Sequence, residues 1–136
     1  ILVRAVNLEG KDRKFIGDFG ERVAAEYLRR HGFSIEGRNI AKKTGEIDVL
    51  ARKGKCLHFV EVKTLLWKEF PDPTSSEDTY DPSENLHALK IRKVARTAEW
   101  YVAEKGWEGE WQVDGILVYL RERDALAKVE YLPQIV

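Results

Sequence analysis

One cysteine, no net charge and no long apolar run set the first limits on this sequence of 136 residues. The lone Cys56 excludes an internal disulfide and any multi-cysteine zinc site, and it fits a reducing, cytoplasmic setting. No apolar stretch approaches the ~18 residues of a membrane span, so no membrane association is expected. Ile1 to Leu8 is apolar but soon turns charged, with no small-residue cleavage site, so no secretory signal is expected either. The 23 Lys and Arg balance 23 Asp and Glu. That balance argues against strong nonspecific polyanion binding and removes a charge barrier to self-association, leaving a homodimer open.

What is present is enough for a folded core. Hydrophobic residues make up 43% and charged residues 34%, against global disorder. A length near the ~150-residue prior predicts a single domain over 1–136. The charge is unevenly spread: residues 1–68 hold 15 bases and 9 acids, and 69–136 hold 8 and 14. The first half could therefore meet a polyanion. From Glu69 to Glu84 there are six acids and no base. The loop at 68–83 is expected to be mobile and is a candidate dock for a protein partner.

Hydrophobic spacing predicts a helix from Phe15 to Arg30, with Phe15, Ile16, Phe19, Val23, Tyr27 and Leu28 on one side and Gly32 as its stop. Short strands are predicted at Phe33–Asn39, Glu46–Ala51 and Cys56–Thr64. A helix capped by Ser83 should run from Glu84 to Lys105, followed by strands at Trp111–Leu120 and Lys128–Leu132. The order α-β-β-β-α-β-β implies an α/β class with a mixed central sheet flanked by helices.

The chemistry concentrates in Gly45-Glu46-Ile47-Asp48-Val49-Leu50 and Phe59-Val60-Glu61-Val62-Lys63-Thr64. A turn centred on Lys53-Gly54 would set Ala51 against Cys56, Asp48 against Phe59 and Glu46 against Glu61. Asp48, Glu61 and Lys63 then share one face, with Glu61 diagonal to Asp48. Two carboxylates that close repel unless a proton or cation lies between them. A hard divalent ion, Mg²⁺ or Mn²⁺, prefers carboxylate, carbonyl and water oxygens, and the Val62 carbonyl could add one. Such an ion polarises a phosphoryl oxygen, while Lys63 could orient the attacking water or neutralise phosphate charge. Glu21 falls at the margin of the first helix's apolar face. Gly17, Gly20 and Ala24 are small enough to bring that helix close to the sheet and aim Glu21 at the site.

Asp48, Glu61 and Lys63 match the spacing of the PD-(D/E)XK nuclease signature. The wider pattern resembles the YraN family: Gly20-Glu21 with Ala24 and Leu28, Arg38-Asn39, Gly45 to Asp48, Phe59 to Thr64, Lys90 with Ala98 and Tyr101, and Val113-Asp114. That family comprises predicted endonucleases distantly related to archaeal Holliday junction resolvases. The resemblance implies a restriction-endonuclease-like fold, Glu21, Asp48, Glu61 and Lys63 as the metal and catalytic set, and DNA, branched or damaged, as the partner. The sequence departs from the family pattern after Thr64, where Leu65, Leu66 and Trp67 stand in place of a basic residue.

Other residues invite plainer readings. Lys90, Lys93, Arg38 and Lys43 are candidate nucleic-acid contacts. His31, His58 and His87 lack metal-ligand spacing, and His58 should point away from Glu61. Asp114, in an apolar strand, could pair with a nearby base. Leu65-Leu66-Trp67 could be an exposed patch used in dimerisation. The competing function is a non-catalytic nucleic-acid- or protein-binding module on a nuclease fold, and an RNA-directed nuclease is a third reading.

Overall fold

The computed structural model describes residues 6–70 and 91–135. The elements are α1 (Arg13–Arg30), β1 (Ser34–Lys42), β2 (Gly45–Lys53), β3 (Cys56–Trp67), α2 (Ile91–Lys105), β4 (Glu110–Arg121) and β5 (Ala127–Leu132). The acidic loop from 71 to 83, the Ser83 cap, His87 and Lys90 lie outside the described residues.

One sheet holds all five strands in the order β1-β2-β3-β4-β5. The pairs are antiparallel except β3 with β4, which run parallel. A parallel pair needs a crossover, and α2 lies in it. This mixed α/β architecture agrees with a restriction-endonuclease-like fold.

Helix α1 starts where Asp12 accepts the Phe15 N–H at 2.8 Å, satisfying one of the free donors of the first turn. It stops at Gly32, whose φ of +87° suits a residue without Cβ, while the Phe33 N–H closes back on the Leu28 carbonyl. Its buried face, Ile16, Phe19, Val23, Ala24 and Leu28, packs on Val49, Ala51, Val60, Ile116, Val118 and Leu120. The opposite sheet face, with Leu50, Leu57, Phe59 and Val113, is covered by Val94 and Ala98 of α2. With helices on both faces, β4 is buried at every residue from Val113 to Leu120, as central strands are.

Three expectations change. Phe15 is exposed, under the Lys11 ammonium, rather than on the buried side of α1. Leu65 and Trp67 are no open patch: they pack with Leu117, Tyr119 and Phe70, leaving Leu66 exposed. The β2–β3 hairpin is tighter than expected, pairing Lys53 with Cys56 and Val49 with Val60. Only Gly54 and Lys55 form its turn, so the register moves by two residues. A shift of two preserves which side chains share a face.

Candidate functional site

The β2–β3 ladder ends at Val49 and Val60. Beyond it, Ile47 and Glu46 pair only with β1, while Glu61 onward pairs with β4. The two strands therefore part at Asp48. Side-chain alternation also breaks there: Ile47 joins the same core cluster as Leu50, not that of Val49. Asp48 fills the fork. Its Oδ2 accepts the Val62 N–H at 2.8 Å, replacing the missing backbone partner.

The carboxyls of Glu61 and Glu21 lie close enough to Asp48 to share a proton with it. Glu21 arrives from α1 because the helix comes very close to β3 at Gly20. A Cβ there would lie 1.8 Å from Thr64 Oγ1, so only glycine permits the contact. Asn39, at a left-handed φ of 52°, completes the cluster. With its amide nitrogen turned inward, it donates to Glu21 Oε1 at 2.9 Å and Glu46 Oε1 at 3.3 Å.

Crowding and burial keep protons on this cluster. Burial and the Asp48 charge push Glu61 up to about 8 and Glu21 up to about 7. The Arg38 charge partly offsets the shift at Glu21. Burial also raises Asp48, opposed by the Val62 N–H that favours its ionised form. Near neutral pH Glu61 still holds its proton and Glu21 is close to its midpoint, so a protonated glutamate can donate to the Asp48 carboxylate.

A cleft of about 700 Å³ opens beside the cluster. Glu21, Asn39, Glu46, Asp48, Val62 and Lys63 line one side, and Lys11, Arg13 and Lys14 another. Glu61 reaches the cluster through Asp48 rather than from the cleft wall. Among the described residues, no three His, Cys, Asp or Glu side chains are gathered ready to hold one ion. The oxygen donors at the fork are the carboxyls of Asp48, Glu61, Glu21 and Glu46 and the Val62 carbonyl. In a strand, one residue's N–H and C=O point the same way, so the Val62 carbonyl also faces the fork.

Glu21, Asp48, Glu61 and Lys63 thus come together, but at a fork between strands rather than on one flat sheet face. The basic residues scatter. Arg38 sits by Glu21, and its Nε is buried without a partner among the described residues. Lys43 is exposed at the β1–β2 turn, and Lys93 stands against Gly45 on α2. His58 and Asp114 form a separate buried pair, Nδ1 to Oδ2 at 2.6 Å, away from the cleft lining. The sequence reading gave no role to Asn39 or to the rim of Lys11, Arg13 and Lys14. An Asn interrupting a strand was the available signal, since Asn tolerates the left-handed region better than most residues.

The family model described as "Uncharacterised protein family UPF0102" matches residues 20–118. The chain belongs to the UPF0102 family. A UPF0102 protein of Syntrophotalea carbinolica is 38% identical over 121 residues, covering 89% of this chain and 90% of the relative. One from Campylobacter jejuni is 35% identical over 102 residues, covering 75% and 81%, and one from Campylobacter lari is 34% identical over 112 residues, covering 82% and 90%. UPF0102 is the family also called YraN, so the resemblance drawn from the motifs holds. The family match spans every element that builds the fork, from Gly20 on α1 to Val118 on β4. No described helix is long and apolar enough to cross a membrane.

Proposed function

We propose that this protein is a Mg²⁺- or Mn²⁺-dependent endonuclease that hydrolyses DNA phosphodiester bonds, with branched or damaged DNA as the substrate class. The observation that carries this reading is the convergence of Asp48, Glu61 and Glu21 at the β2–β3 fork, beside Lys63 in an open cleft. Carboxylates held this close, and kept apart in charge only by shared protons, are a place where a divalent cation replaces those protons. Two carboxylates, one carbonyl and water suit Mg²⁺, which keeps several waters.

Asp48, Glu61 and the Val62 carbonyl would hold the ion, which supplies Lewis acidity toward a phosphoryl oxygen. Glu21 supports a water at the edge of the cluster, and Asn39 fixes the Glu21 carboxyl. Lys63 hydrogen-bonds the attacking water or a non-bridging phosphate oxygen. Lys11 and Arg13 offer positive charge where a backbone would enter, while Lys14 is paired with Asp18 at 3.1 Å on the same rim.

The test is a panel of branched, flapped and linear DNAs incubated with Mn²⁺. Cleavage lost by about a hundredfold or more in both Asp48→Ala and Lys63→Ala supports the proposal. Cleavage that persists in both overturns it. The competing reading, a non-catalytic binding module, draws on the balanced charge and on a cluster already closed by its own hydrogen bonds. It predicts DNA retention without cleavage at any ion concentration.

A further inference from the structure

A second cavity of about 580 Å³ lies at the tip of the β1–β2 hairpin, lined by Ala41, Lys42, Lys43, Thr44 and Trp100. Helix α2 turns Val94 and Ala98 into the core but leaves Trp100 42% exposed. Core packing therefore does not account for this indole. Lys42 holds its ammonium 4.7 Å from the ring centroid. Neither Lys42 nor Lys43 forms an ion pair among the described residues.

The platform is firmly held. Thr44 Oγ1 and Thr97 Oγ1 lie 2.8 Å apart, and Thr97 donates in turn to the Lys93 carbonyl at 2.8 Å. The hairpin tip is thereby fixed to α2. The same hairpin walls the acidic cleft: Ala41 pairs with Glu46, and Glu46 and Asn39 line that cleft. Gly45 precedes Asp48 by three residues, on the order of 10 Å along an extended strand. The cleft lies on the α1 side of the sheet and Trp100 on the α2 side, so a single strand joining the two sites passes around the hairpin tip.

An exposed indole beside unpaired lysines is the chemistry that binds unpaired nucleotides: the ring stacks a base and the ammonium groups meet its phosphates. We propose that Trp100, Lys42 and Lys43 form a stacking platform for an unpaired base of the DNA whose backbone occupies the acidic cleft. This rests on the nuclease reading of that cleft and narrows its substrate to DNA with single-stranded nucleotides beside the scissile bond. A base entering the cavity takes the ring face that Lys42 now covers and leaves the ammonium to the adjoining phosphate. Fully paired duplex cannot present a base face this way.

The experiment is fluorescence anisotropy of the full chain in EDTA, with a labelled oligo-dT of about 12 nucleotides and a duplex of the same length. Trp100→Ala should weaken oligo-dT binding about five- to a hundredfold, with duplex binding changed less than about twofold. Trp100→Phe, which keeps an aromatic face, should retain most of the affinity. Equal oligo-dT binding by Trp100→Ala and wild type, or an equal loss on duplex, overturns the platform. A Mn²⁺ cleavage assay on the same probes separates the two proposals. Cleavage insensitive to Trp100→Ala removes the platform and leaves the nuclease; Trp100-dependent binding without cleavage by wild type does the reverse.

Discussion

The Val62 amide donates to Asp48 Oδ2 across the point where β2 and β3 separate. A hydrogen bond to a charged acceptor contributes about 1.5–3 kcal/mol, and here it opposes the burial that raises Asp48. It also turns the Val62 carbonyl toward the same fork. The divergence of two strands thereby creates an oxygen-rich recess that a regular ladder would have closed.

Stability of the metal-free protein should fall as pH rises from about 5 to about 8. Glu21 and Glu61 have folded pKa values raised above the usual carboxylate range, to about 7 and about 8. Between the unfolded and folded values the native state binds more protons, so their contribution is complete at low pH and is lost through the folded values. Thermal melts in EDTA across this range check the sign. Glu61→Gln, which keeps a donor but cannot titrate, should flatten the dependence. A melting temperature that rises toward pH 8 would contradict it.

Gly20→Ala should destabilise the fold by about 1–3 kcal/mol, because its methyl group meets Thr64 and α1 must shift. Moving α1 also moves Glu21, so Mn²⁺ affinity should drop along with the denaturant midpoint. Thr64→Ala in the same chain removes the two nearest atoms and should recover part of both.

Asn39→Ala should leave the fold in place and lower Mn²⁺ affinity or cleavage about 10–100-fold. Its amide orients Glu21 and Glu46 rather than joining the ion, and partners of that kind typically matter by this amount. Calorimetry on the variant, with circular dichroism as the fold control, gives the answer.

Asp114→Ala should cost about 3–5 kcal/mol in stability. The carboxylate is fully buried and is hydrogen-bonded to His58, Gln112, Tyr131 and the Gln134 backbone. Its removal strands four partners at once. Cleavage per folded molecule should change little, since none of these groups lines the acidic cleft.

Much of this was legible because strand parity survives small errors. The turn was misplaced by two residues, a slip that leaves faces unchanged for Glu61 and Lys63, whereas Asp48 meets Glu61 through the fork, where alternation breaks. Helical arithmetic on Gly17, Gly20 and Ala24 pointed to a close approach of α1, and Gly20 against Thr64 is that approach. The fork itself was not legible, since alternation cannot show where two strands stop pairing. Nor was the Lys11–Lys14 rim, because residues before a helix gain a direction only once the helix is docked. Leu65 and Trp67 looked exposed because the sequence does not reveal the cover that Tyr119 and Phe70 supply.

The most direct test is calorimetric titration of Mn²⁺ into the full chain near pH 7.5, repeated in buffers of different ionisation enthalpy. Binding of about one ion with net proton release, lost in Asp48→Asn and weakened in Glu61→Gln, is the predicted result. Undiminished binding in Asp48→Asn, or binding without any proton release, would contradict a divalent-ion site at the fork.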